Sequence, residues 1–86
     1  MDNNSVNIRD MSLLNVKINT RYKINKFNLE NKDVILLLNN LGICEDENVM
    51  VLKSNYGNNS LLVNVSGINF ALDKKVCAGI IVKWKM

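Results

Sequence analysis

The stretch DVILLLNNLGICEDENVMVL, residues 33–52, decides the fold, because its hydrophobic pattern changes from helical to extended along its length. Its first half places apolar residues at positions 34, 37, 38 and 41, the spacing of one helix face over two turns. We therefore predict a short amphipathic helix that packs on the core through three leucines: Leu37, Leu38 and Leu41.

Both ends of this helix can be read from the sequence. Asn31 or Asp33 can cap the start, because a short side-chain oxygen accepts the free N–H groups of the first turn. Gly42 follows the last apolar residue, where a helix often ends in a left-handed conformation that glycine adopts at low cost. Ile43 can then fold back onto the last turn. We predict a positive φ at Gly42.

After Gly42 the period of the pattern becomes two, and alternation around Val49 and Val51 predicts a strand. The segment between helix and strand contains three consecutive carboxylates, Glu45-Asp46-Glu47. Carboxylates bind hard cations, but consecutive side chains point in different directions and the spacing supplies no further ligand. We interpret the three residues as a solvated connector and predict no metal site.

The remaining chain reads mostly as short strands separated by turns. A strand around Tyr22–Phe27 shows the slipped alternation of a β-bulge. Turn-forming residues at 54–60 predict a hairpin loop, and Ser66-Gly67 a tight turn between alternating segments. Asp73 can cap a helical turn over 74–78 that Gly79 ends, before a last strand at 80–84. We predict a mainly β fold, a small barrel of about five strands with one two-turn helix and one helical turn.

Size and charge restrict the functions that the chain can have. The length of 86 residues is that of a single domain, which we predict at 11–86, after a loose lead-in at 1–10. The net charge of +3 is spread along the sequence, which favours a role in solubility over nucleic-acid binding. The start of the sequence lacks signal-peptide features, and the longest apolar run, Val34–Leu38, is too short to span a membrane. We predict a cytoplasmic protein.

The residue types that usually perform catalysis are scarce. The chain has no histidine, which removes the commonest general base and metal ligand. Cys44 and Cys77 therefore lack the usual partner of a cysteine nucleophile, and we interpret both as buried structural thiols. The four glycines are isolated, so no phosphate-binding loop is present. We predict a protein that is not an enzyme and needs no cofactor.

The order of these patterns resembles the ferrous iron transport protein A (FeoA) family, whose members are small cytoplasmic SH3-like barrels. The resemblance covers residues 11–82. It rests on the segments Leu37–Ile43, Asn55–Asn59, Gly67–Leu72 and Cys77–Val82. Within them, the positions that match the structural motif of the family are Leu38, Leu41, Gly42, Gly67 and Leu72. Leu37 stands where the family has arginine, and Asn19 stands at an early family glycine, where asparagine can still adopt a left-handed turn.

The resemblance implies an accessory protein of bacterial ferrous iron uptake. Its expected partner is the cytoplasmic domain of a FeoB-type membrane transporter, and it would be peripheral to the membrane only through that transporter. Assembly into a homo-oligomer stays open. The alternative is a nucleic-acid-binding or metal-responsive SH3-like module. A basic face with exposed aromatic rings would favour nucleic acid, and the candidate rings are Tyr22, Tyr56 and Trp84.

A barrel of this size uses its inward residues for packing, so we expect partner contacts on loops and exposed apolar atoms. The first candidate is the hairpin tip, Tyr56, Gly57, Asn58 and Asn59, at the distinctive loop of the family. The second is Leu36, which lies off the predicted core stripe of the helix.

Overall fold

The computed structural model describes residues 10–84. Its strands are β1 (Asp10–Ser12), β2 (Tyr22–Phe27), β3 (Asn48–Lys53), β4 (Ser60–Val65), β5 (Ile68–Asp73) and β6 (Ile80–Trp84). Its helices are a 3₁₀ turn (Leu13–Asn15), α1 (Lys32–Asn40) and α2 (Lys74–Ala78). The predicted lead-in at 1–9 lies outside the described residues, whereas Asp10 belongs to β1.

The six strands form one antiparallel sheet in the order β1-β6-β2-β3-β4-β5. The mainly β, SH3-like class is confirmed, with one strand more than the predicted five. The additional strand is β1, which pairs with β6 from Asp10–Lys83 to Ser12–Ile81. Within residues 10–84 no pairing joins β1 to β5, so hydrogen bonds do not close the sheet into a barrel.

The predicted irregularity of β2 is present. Its register with β6 shifts between Ile24 and Lys26, which is the extra residue of a β-bulge. Bulges increase local twist and bend a strand, and here the bend lets one sheet wrap around its own core. The buried side chains of that core are Leu13, Tyr22, Ile24, Leu38, Ile43, Val49, Val51, Leu61, Val63, Val65, Leu72, Cys77, Ile80 and Val82.

The predicted turns are also confirmed. Ser66 and Gly67 have φ values of 50° and 93°, the two positive values of a type I′ hairpin. Asn19, with φ 62°, is left-handed as expected. The Asp73 carboxylate accepts from the N–H of Lys75 at 2.8 Å and caps α2. Gly79 follows the helix at φ −95°.

Helix α1 begins as predicted, because the Asn31 side chain accepts from the N–H of Asp33 at 2.9 Å. Its orientation differs from the prediction. Leu38 is buried, with Val34 half-buried against the core, but Leu37 is 58% exposed and Leu41 47% exposed. The expectation that Leu37 and Leu41 pack in the core is wrong. Ile35 is half-buried in their place, so the helix is rotated about its axis relative to the predicted stripe.

Candidate protein-interaction surface

The hairpin tip between β3 and β4 is exposed at all four predicted positions, Tyr56, Gly57, Asn58 and Asn59. Gly57 and Asn59 have φ values of 71° and 59°, which reverse the chain within a few residues. The N–H of Tyr56 donates to the C=O of Ser60 at 2.9 Å, and the Ser60 hydroxyl donates to the C=O of Asn58 at 3.2 Å. These bonds give the tip a defined shape that presents the Tyr56 ring to solvent.

The tip is fastened to the start of α2. The N–H of Lys74 donates to the C=O of Asn59 at 2.9 Å, and its ammonium donates to the Asn55 side-chain oxygen at 3.1 Å. One residue of α2 therefore holds the loop at two points. This connection explains how an exposed turn keeps one position on a small domain.

A second set of exposed apolar residues lies on α1 and at its C-cap, and we call it the leucine face: Leu36, Leu37 and Leu41. Leu36 is 59% exposed, as its position off the predicted stripe implied. Leu37 and Leu41 are four residues apart and neighbours on the helix surface. Sequence reasoning missed these two, because it assigned them to the core.

The three aromatic candidates for nucleic-acid stacking have different environments. Tyr22 is buried, and its hydroxyl accepts from the N–H of Lys17 at 3.1 Å. Trp84 is exposed and lines a shallow groove of about 310 Å³ together with Met11, Lys17 and Tyr22. Tyr22 therefore serves the core, and the exposed rings are Tyr56 and Trp84.

The acidic segment forms the connector between α1 and β3. Asp46 has φ 72°, and its N–H donates to the C=O of Ile24 at 2.8 Å. The carboxylate of Glu47 accepts from the Ser66 hydroxyl at the β4–β5 turn. Both groups thus help to hold the connector on the sheet. Within residues 10–84 no group of three or more Cys, Asp or Glu side chains could hold a metal ion.

The two cysteines are unpaired, and only one fits the prediction of a buried thiol. Cys77 is fully buried, with its thiol 3.9 Å from the C=O of Leu72. Burial, with a smaller contribution from the nearby Asp73, raises the pKa of the Cys77 thiol from 9.0 to about 12. Cys44 is half-buried, and its thiol donates to the C=O of Asn39 at 3.5 Å.

The family model described as the FeoA domain matches residues 11–83. The chain belongs to the FeoA family. Membership implies a role in ferrous iron transport. None of the curated proteins matches the sequence. In the part of the chain that the structure describes, no helix has the length and apolar character needed to cross a membrane.

Solved structures similar to this FeoA-family chain support the fold. The FeoA protein from Chlorobium tepidum has a TM-score of 0.78 at 22% identity, over 88% of this chain and 71% of that one. The FeoA-like protein from Clostridium acetobutylicum has a TM-score of 0.74 at 20% identity, over 91% and 90%. A manganese-dependent transcriptional repressor has a TM-score of 0.80 at 13% identity, over 88% of this chain and 42% of the repressor.

Proposed function

We propose that this protein is a cytoplasmic accessory protein of ferrous iron uptake that acts by contact with the cytoplasmic domain of a FeoB-type transporter. Family membership supplies the link to iron transport. The observation that supports action by contact is the leucine face. The nine-residue helix buries one of its leucines, Leu38, but leaves Leu36, Leu37 and the C-cap residue Leu41 about half exposed.

Such a face is more than a scatter of surface leucines. Single exposed apolar residues are ordinary, but Leu37 and Leu41 are four positions apart and neighbours on the helix surface, and contiguous exposed apolar surface marks sites of protein contact. The helix presents them on a backbone fixed by its N-terminal cap at Asn31 and its glycine stop at Gly42. Covering them removes apolar surface from water, which contributes about 25 cal/mol for each Å² before the entropy lost on association is subtracted.

The Tyr56 tip is the second contact in this proposal. Tyrosine is enriched where partners bind, because its ring offers a large apolar area and its hydroxyl a hydrogen bond. The two bonds from Lys74 hold the loop before a partner arrives, which lowers the entropy lost on binding.

The side chains of the domain also favour contact over catalysis. The chain contains no histidine, and the raised pKa of Cys77 keeps that thiol protonated near neutral pH. The similarity to the repressor is a likeness of fold over less than half of the repressor, so it does not favour DNA binding over the transporter.

The test is capture of the isolated cytoplasmic domain of the transporter by the purified full chain. Leu36→Ser, Leu37→Ser and Tyr56→Ala are each expected to weaken capture at least several-fold while the melting temperature stays nearly constant. Ile68→Ser is the matched control, because Ile68 is an equally exposed apolar residue on β5, and it should bind as the wild type does. Unchanged capture by all three variants would show that the contact lies elsewhere.

A further inference from the structure

Strand β5 ends the open sheet, and its outer edge carries backbone groups that β4 does not use. Val65 and Ile68 flank the two-residue turn and form the first hydrogen-bonded pair of the hairpin. Bonded and non-bonded pairs alternate along an antiparallel ladder, so Phe70 and Leu72 also bond to β4. The N–H and C=O groups of Asn69 and Ala71 therefore point outward. Within residues 10–84 no strand pairs with that edge.

The two edges of the sheet are protected to different degrees. Natural edge strands avoid pairing with other chains by being short, charged, bulged or interrupted by proline. The opposite edge, β1, has three residues and begins with the charged Asp10. β5 has six residues in unbroken register with β4, and residues 68–72 include neither a charge nor a proline. Over those five residues β5 lacks each of these protections.

We propose that β5 is a self-association surface, on which it pairs antiparallel with β5 of a second copy of this chain. The two six-stranded sheets then become one continuous sheet around a two-fold axis at Phe70. Such pairing is isologous, since each copy offers the same strand to the other. The main chain supplies the hydrogen bonds, as in other cases of strand addition.

The free backbone groups restrict the register. Bonded pairs across the new interface have to use outward-pointing residues, so Asn69 pairs with Ala71 of the second copy. Phe70 then faces Phe70, and Ile68 faces Leu72 of the second copy. Asp73 lies beyond the five paired residues, so the register sets no charged side chain against another.

The side chains of β5 favour a second copy as the occupant. Ile68, Phe70 and Leu72 share the core-facing side of the sheet, because their partners on β4 are the buried Val65, Val63 and Leu61. Leu72 is buried and Phe70 half-buried, but Ile68 is 58% exposed, so the core ends before the strand does. A second β5 in this register covers Ile68 with Leu72. The strand is complementary to itself.

The test is the mass of the full chain over a range of concentrations, measured by sedimentation equilibrium. The wild type should pass from monomer to dimer as concentration rises. Ala71→Pro removes one outward N–H but no bond to β4, and proline is tolerated at such edge positions. We expect it to weaken dimerisation at least ten-fold. A chain that stays monomeric throughout would overturn the proposal.

A charge substitution gives a second, matched comparison. Ile68→Lys puts a charge into the proposed interface, whereas Leu36→Lys makes the same change at an equally exposed position on α1. Ile68→Lys should abolish the dimer, and Leu36→Lys should dimerise as the wild type does. A dimer that survives both β5 variants, or one that Leu36→Lys removes, would place the interface elsewhere and contradict the proposal.

Amide hydrogen exchange on the wild type needs no variant. Exchange at Asn69 and Ala71 should slow as concentration rises, while Phe70, already bonded to Val63, should not change. If exchange at Asn69, Phe70 and Ala71 responded equally to concentration, the proposed register would be wrong.

This surface is independent of the proposed transporter contact: Ile68→Lys should remain monomeric and still capture the transporter domain. Loss of that capture, with Leu36 variants unaffected, would count against the proposed function instead.

Discussion

The N–H of Ile43 donates to the C=O of Leu38 at 2.9 Å, across the turn that ends α1. The N–H of Gly42 donates to the C=O of Asn39 at 3.1 Å in the same turn. Together the two bonds form a Schellman motif, with Gly42 at φ 93° as its left-handed residue. Leu38 and Ile43 are both buried, so this turn returns the chain to the core and leaves Leu41 outside.

Adjacent leucines on α1 should therefore respond differently to truncation. Leu38→Ala is expected to lower the free energy of unfolding by about 2–4 kcal/mol, because it leaves a cavity in the core. Leu37→Ala should change it by about 0.5 kcal/mol or less, as surface substitutions usually do. Denaturant unfolding measures both. Equal losses in the two variants would contradict the observed orientation of the helix.

The Schellman turn depends on glycine for its backbone conformation alone. A Cβ on Gly42 would meet no atom within 4 Å, so the cost of Gly42→Ala is that of a left-handed alanine, roughly 1 kcal/mol. Gly42→Asn should lose less, since asparagine adopts this conformation more readily. Thermal unfolding of Gly42→Ala and Gly42→Asn compares their stabilities. A larger loss of stability in Gly42→Asn than in Gly42→Ala would refute the explanation.

Gly79 is required for the opposite reason, which is space. Its φ is ordinary, but a Cβ there would lie 2.7 Å from the carbonyl oxygen of Asn28. The N–H of Asn28 also donates to the C=O of Gly79 at 2.7 Å, so the two backbones cannot separate without losing that bond. Gly79→Ala should cost about 1–3 kcal/mol, as overpacking does. Ala78→Ser, at the exposed preceding position, is the control and should be nearly neutral.

The Cys77 thiol should make stability depend on alkaline pH. Its pKa is raised to about 12 in the folded protein, so the folded state holds the proton more tightly than the unfolded state. The resulting stability is complete below pH 9 and is lost as pH rises towards 12, by up to about 1.4 kcal/mol per pH unit. Cys77→Ala lacks this group, and its stability should fall less steeply over the same window. If stability fell equally steeply with pH in the wild type and in Cys77→Ala, the thiol would not contribute to the pH dependence.

The sequence predicted the local features well, because each depends on a few neighbouring residues. The left-handed Gly42, the Asn31 and Asp73 caps and the Ser66-Gly67 turn all follow from side chains acting on their own backbone. The rotation of α1 was not predictable in this way. Residues 34–38 are all apolar, so periodicity cannot distinguish a stripe that includes Leu37 from one that includes Ile35.

Strand β1 is a second feature that could not be predicted from the sequence. Its three residues carry no alternating pattern, and their strand conformation depends on pairing with β6 about seventy positions later in the chain. The exposed leucine face and the free edge of β5 could not be predicted either, because the exposure of a residue depends on how the whole domain packs. For Tyr56, Gly57, Asn58, Asn59 and Leu36 the sequence predicted exposure, and their role in binding stays a prediction.

The position of β6 has a consequence for how the domain folds. This strand is the last in the described chain, yet it lies between β1 and β2, near the other end of the sequence. β1 therefore has no strand to pair with, and β2 has only β3, until a loop of more than fifty residues closes, which costs chain entropy before contacts repay it. A high share of such distant pairings is typical of domains that fold in milliseconds to seconds. Until β6 is in place, β1 and β2 cannot form the native sheet.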